Sequence, residues 1–151
     1  MTRLTNLIGE DFSEEDLLLL DDNQFSKIGI SRAKMNYSKM ISLFLLSSPD
    51  YFKNLELLSP NERIIELMKF KGVGIWTASI FVMSDDLKSD IFAYGDGTLI
   101  RVIKEIYNLS DEQLVLQLER IVSNWSPYKT LVCNALWHYN DNVLAQTRSR
   151  I

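Results

Sequence analysis

Residues 68–78 read Met-Lys-Phe-Lys-Gly-Val-Gly-Ile-Trp-Thr-Ala, and no other stretch constrains the fold as tightly. An amphipathic helical pattern runs into it and an apolar helical pattern runs out of it. Between them stand Gly72, Val73 and Gly74. Two glycines one residue apart allow a tight turn with positive φ and leave no Cβ in front of it. Main-chain N–H groups at the start of the following helix then lie open to an anion, and the helix dipole favours that anion. Lys69 and Lys71 add positive charge. The stretch predicts a helix–hairpin–helix that grips a phosphate. An ordinary helix–helix corner with a glycine stop has the same local signature, so the rest of the chain must decide.

The chain has 151 residues, enough for one domain spanning 1–151 with a genuine core. Its hydrophobic content of 46% is that of a globular protein. No run of about 18 apolar residues is present, so no membrane-spanning helix is expected. Met1–Leu7 lacks the apolar segment of a signal peptide, and a cytoplasmic location is expected. Cys133 is the single cysteine, which excludes an internal disulfide and a four-cysteine iron–sulfur cluster. It stands in an apolar run, where a buried thiol is expected rather than a nucleophile. The net charge of −4 argues mildly against nucleic acid. The acidic excess is local, however. Residues 1–30 hold two basic and seven acidic side chains, so the remainder carries a net +1.

Helix starts punctuate the chain. Ser13 followed by Glu14, Glu15 and Asp16 predicts a short helix, stopped by Asp21-Asp22-Asn23. A second short helix spans about 22–28 and ends at Gly29. Ser31 caps a longer one to about Ser47, with Met35, Tyr37, Met40, Ile41, Phe44 and Leu45 on its inner side. Tyr51–Leu57 reads as one turn and a loop. Ser59-Pro60-Asn61-Glu62 combines a cap, a first-turn proline and a capping-box glutamate. Ile64, Ile65, Leu67 and Met68 form the buried stripe of that helix. The helix after the hairpin stops at Ser84-Asp85-Asp86. Residues 87–95 form a loop anchored by Ile91 and Phe92, and a helix follows Gly95-Asp96-Gly97. Ser110 to Gln113 is another capping box, and Ser126-Pro127 opens the last long helix, to about Tyr139. The tail from Asn140 is polar. No segment alternates with period two, so the expected class is all-α, with about eight or nine short helices.

These residues, taken together, resemble a known family. Leu67, Gly72-Val73-Gly74 and Trp76-Thr77-Ala78 are similar to the hairpin of the helix–hairpin–helix DNA glycosylases, in particular the bacterial 3-methyladenine DNA glycosylase II type. That family places an aspartate twenty residues after the hairpin tryptophan, and here Asp96 stands at that distance from Trp76. The family's Trp-x-Pro-aromatic-basic-Ser/Thr segment resembles Trp125 to Thr130, and Trp137 follows seven residues later. Ile28 to Lys34 resembles its Gly-Leu-Ser-x-x-Lys segment. The matches keep their order and cover about residues 14–140.

The resemblance implies a DNA base-excision repair glycosylase that hydrolyses the N-glycosidic bond of alkylated purines turned out of double-stranded DNA. Asp96 would be the catalytic carboxylate, stabilising oxocarbenium character on the sugar or activating water. Trp76 and Trp137 would line the pocket of a cationic base. Lys71, Gly72, Val73, Gly74, Thr77 and Lys129 would contact DNA. The main-chain carbonyls of Met68, Phe70 and Val73 would hold a structural sodium or potassium ion. The related lyases carry a lysine where this chain has Trp76, so a monofunctional enzyme with no required cofactor is expected. The location would be a bacterial nucleoid.

Each residue also has a plainer reading. Asp96 could cap a helix, and both tryptophans could be core. Lys71 departs from the family's usual proline, and Gly97 looks like an insertion. The family domain has further helices before the segment matched by residues 14–34, so an N-terminally truncated domain is expected. An uncovered apolar face should then drive self-association, or be covered by residues 13–28. The alternative function is a non-catalytic helix–hairpin–helix module that binds DNA or protein.

Overall fold

The computed structural model describes residues 3–144, with main chain alone at 143 and 144. The described residues form ten α-helices and a closing π-type turn at Asn140–Leu144, with no strand among them. The helices are α1 (Thr5–Ile8), α2 (Glu14–Leu19), α3 (Asp22–Lys27), α4 (Arg32–Ser47), α5 (Tyr51–Glu56), α6 (Pro60–Leu67), α7 (Ile75–Asp85), α8 (Gly97–Ile106), α9 (Asp111–Ser123) and α10 (Lys129–Tyr139). The all-α expectation holds.

The capping signals act as their chemistry requires. Ser13 and Asp21 accept from the main-chain N–H groups of Asp16 and Gln24, whose side chains bond back to the cap residues. Glu62 accepts from the main-chain N–H and the hydroxyl of Ser59, closing the start of α6. At α9 the Ser110 hydroxyl oxygen accepts the main-chain N–H of Gln113, whose side-chain oxygen accepts that of Ser110.

Two expectations need correction, and one element has no counterpart among them. Tyr51–Glu56 is a helix, not a turn and a loop, although Asp50 makes no side-chain cap bond to it. Residues 5–8 form a single helical turn where the sequence shows no period. The last helix starts at Lys129 rather than at Pro127, because Ser126 gives its hydroxyl to Asp90 instead of capping.

Tertiary contacts divide the chain into two compact units. The first holds residues up to Leu58 together with Lys69–Gly72. Its core is Leu20, Phe25 and Met35, with Leu4, Ile8, Leu17, Ile28 and Ile30 packed around it. Here α2 and α3 lie against α4. Lys39 of α4 sits 5.8 Å from the centroid of the Phe25 ring, a cation–π distance. Phe44, Tyr51 and Phe70 pack edge to face, with centroids 5.1–5.5 Å apart. The predicted inner stripe of α4 is only partly inside: Met35 is buried, but Met40 and Phe44 are exposed.

The second unit holds Ser59–Met68 and the chain from Val73 on. Helix α6 lies along α7, and α8 along α10. Ala78 and Val82 of α7, Leu99, Val102 and Ile103 of α8, Val122 of α9 and Cys133 of α10 are fully buried. Ile64 and Leu67 of α6 point inward as expected, whereas Ile65 and Met68 are exposed.

Candidate active site

The site is built on the start of α7, the turn before α8 and the body of α10, and the hairpin glycines precede α7 in the chain. Gly72 has φ +94°, which an L side chain rarely adopts, and a Cβ there would stand 2.1 Å from the Tyr37 ring. Gly74 is different. Its backbone is extended, it is the N-cap of α7, and a Cβ there would meet nothing within 4 Å. Only the first glycine is thus required by backbone conformation. Lys71, Gly72, Gly74 and Thr77 are exposed and Val73 is half-buried.

Asp96 is the N-cap of α8, and its Oδ1 accepts the main-chain N–H of Leu99 at 2.9 Å. The capping reading is therefore correct, but it is incomplete. The Trp76 indole Nε1–H donates to Asp96 Oδ2 at 2.9 Å. The Trp137 indole Nε1–H donates to Asp96 Oδ1 at 3.3 Å. Three residues that are distant in sequence thus meet on one carboxylate. Gly95, with φ +87°, turns the chain into position for this. Partial burial alone would push the Asp96 carboxyl up. The N–H groups of Leu99, Trp76, Trp137 and Thr98 outweigh it and hold the group below its usual range. Asp96 is ionised at neutral pH.

Cys133 is fully buried in the same unit. Burial pushes its thiol up to about 11, opposed by the Ala93 main-chain N–H and reinforced by the negative charge of Asp96. A thiol held protonated is not a nucleophile, as the sequence implied.

A second polar cluster holds the loop that leads to Asp96. Asp90 accepts from the Ser126 hydroxyl at 2.6 Å, from the Lys129 main-chain N–H at 3.1 Å and from the Lys129 ammonium at 3.0 Å. Burial would raise the Asp90 carboxyl, but these donors and the lysine charge keep it depressed. Thr130 is fully buried. Its Oγ1 lies 3.0 Å from Ser89 Oγ and 3.2 Å from both the main-chain N and O of Ile91. Lys129 is therefore a partner of Asp90 and only about a quarter exposed. Nothing in the chain's periodicity pointed to Asp90. The available signal was its place six residues before Asp96, in a loop with two apolar anchors.

A cavity of about 410 Å³ in this unit is lined by Ile64, Ile75, Phe92, Tyr94, Lys129 and their neighbours. Trp76, Asp96 and Trp137 are not among its lining residues. The carboxylate site instead lies at an open surface, with the Trp76 side 47% exposed.

The fold and this carboxylate define a class: an all-helical protein with a glycine hairpin and a tryptophan-held aspartate at a helix start. Comparison with known proteins gives relatives of the same all-helical fold. The chain superimposes on the crystal structure of a DNA-3-methyladenine glycosidase from Bacillus halodurans with a TM-score of 0.71 and 28% sequence identity, over 95% of this chain and 66% of that one. It is 25% identical over 124 residues to the alkylbase DNA glycosidase-like protein mag2 of Schizosaccharomyces pombe, covering 82% of this chain and 58% of that protein. No family model matches. The chain thus spans less than two thirds of either relative's length. Sequence and fold together bear out the resemblance to the helix–hairpin–helix DNA glycosylase superfamily.

Proposed function

We propose that this chain carries the excision site of a base-excision repair glycosylase that hydrolyses the N-glycosidic bond of alkylated purines in double-stranded DNA. The observation behind this reading is the ionised Asp96 carboxylate, fixed by two indoles and a helix start in the unit that also holds α6 and α7. Breaking the bond builds positive charge on the sugar, and a fixed carboxylate in a partly dry place stabilises that charge. An alkylated purine already carries positive charge, so it leaves without a general acid. A site with one such carboxylate suits that substrate. The base would be turned out of the duplex, with Trp76 and Trp137 beside it. The N–H groups at the start of α7, with Lys71 and Thr77, would take a DNA phosphate. Lys129 would reach a phosphate only by leaving Asp90.

The reaction is monofunctional in this reading, since an indole stands where the related lyases have an amine. A sodium or potassium ion on the carbonyls of Met68, Phe70 and Val73 belongs to the same proposal. It is supported by the end of α6 at its cap residue Met68, where main-chain carbonyls run out of helical donors. Melting in potassium against tetramethylammonium tests it, with a higher midpoint expected in potassium. Self-association is also proposed, since Met40, Leu43, Phe44 and Leu46 of α4 are all exposed. Sedimentation at rising concentration should show a mass above the monomer, and a strict monomer rejects this.

The decisive assay is release of free base from duplex DNA containing 3-methyladenine or 7-methylguanine. Base release that leaves abasic sites cut only by alkali is expected. Strand cutting without alkali rejects monofunctionality. Duplex binding without base release favours the non-catalytic module.

A further inference from the structure

We infer that Trp76 and Trp137 act on the reaction through Asp96, as positioning residues that aim and hold the carboxylate, rather than chiefly as faces for the extruded base. The inference rests on the excision reading above and deepens it. A carboxylate offers about four lone-pair sites. Three are taken here: Trp76 on Oδ2, and Trp137 and Leu99 on Oδ1. The donors come from α7, α10 and α8, so the group is gripped from three helices and its two oxygens cannot rotate freely. A backbone cap alone would fix one oxygen and leave the other to swing. The indole bond to Oδ2 is what fixes the second.

An aromatic face needs only a ring, which phenylalanine also supplies. A donor needs the indole N–H, which phenylalanine lacks. The two roles therefore separate on one substitution. Each indole edge is committed to Asp96 in the protein without DNA, so the carboxylate is in place before substrate arrives.

The test has a spectroscopic arm and a kinetic arm. In the first, the three indole Nε1–H resonances are compared by NMR between wild type and Asp96→Asn. Asparagine has one carbonyl oxygen, and the cap to Leu99 claims it, so its amide NH2 then faces the N–H of Trp76. The Trp76 resonance should move markedly. Trp125, which packs on the Phe92 ring 5.9 Å away, should not. An unmoved Trp76 resonance overturns the inference, and no tryptophan variant need fold for that result. In the second arm, Trp76→Phe should lower kcat on the order of tenfold, as loss of one bond to a charged group implies, with KM nearly unchanged. A wild-type kcat in Trp76→Phe means that the ring face, which phenylalanine keeps, and not the donor matters, and overturns it. Wild-type protein that shows the Trp76 shift but releases no base overturns the excision reading alone and leaves the grip on Asp96 standing.

Discussion

Single residues divide by whether the chain or the chemistry demands them. Gly72 is demanded by the chain: its φ of +94° and the Tyr37 ring at 2.1 Å leave no room for a methyl group. Gly72→Ala should cost about 2 kcal/mol or more in chemical denaturation, from left-handed strain plus displacement of Tyr37. Gly74→Ala should cost about 1 kcal/mol or less, since its backbone is extended and a Cβ meets nothing. If Gly74 is nonetheless needed for duplex binding, the requirement lies with the phosphate. Asp90 makes a different prediction. Its carboxyl is depressed in the folded protein, so the stability it adds is present above the unfolded value and lost as pH falls through the folded one. Asp90→Asn should therefore destabilise by about 1–2 kcal/mol at pH 7, and the gap from wild type should close as pH falls below about 4. A gap that persists unchanged at low pH contradicts the ionised pairing with Lys129. Asp96 obeys the same sign, so its protonation should not limit activity between pH 5 and 8.

Elements were legible in proportion to their capping chemistry. Helices α2, α4, α6 and α9 begin at serine caps visible in the sequence, whereas Asp21, which reads as a stop, proves to be the cap of α3. Helix α5 makes no side-chain cap bond, so nothing local announced it. The Ser126-Pro127 pair imitates a helix start, but its serine is committed to Asp90, a partner 36 residues away that no local pattern reveals. Burial stripes failed for a related reason. Periodicity marks an apolar face but not how much of it finds a partner, so Ile65 and Met68 continue the α6 stripe and remain exposed. The candidate site was legible only through the family resemblance, which sets Asp96 twenty residues after Trp76 and adds Trp137. That the indoles donate to the carboxylate was not, because sequence gives no ring orientation. Two contacts between elements now carry predictions. Arg63 of α6 is buried and bonds Asp85 at the end of α7. Asp85→Asn should cost about 1–2 kcal/mol, below the usual cost of breaking a buried pair because Asp85 is half exposed. Thr130→Val keeps the volume but strips Ser89 and Ile91 of their shared partner. It should cost about 2–3 kcal/mol in urea denaturation. A loss under about 0.5 kcal/mol for either variant means that the pair does not brace its elements.

At the scale of the whole molecule, the two units differ in what holds them. The first has its core cluster at Leu20, Phe25 and Met35, with two six-residue helices packed on α4, whereas α8 of the second buries Leu99, Val102 and Ile103 completely. Amides of α2 and α3 should exchange through openings smaller than global unfolding, and those of α8 only through the global event. Equal protection in both sets contradicts this ranking. The proposed excision rests on one charge, that of Asp96. Asparagine caps a helix about as well as aspartate, so Asp96→Asn should change stability by about 1 kcal/mol or less. In the proposed reaction the lost charge would face a developing cation, where such a contribution is worth several kcal/mol, on the order of a thousandfold in rate. The most direct test is single-turnover release of 3-methyladenine or 7-methylguanine from duplex DNA by wild type and Asp96→Asn at equal duplex occupancy. The proposed role of Asp96 predicts base release by wild type and a loss on the order of a thousandfold in the variant, with fold and DNA affinity kept. Equal rates for the two proteins contradict it.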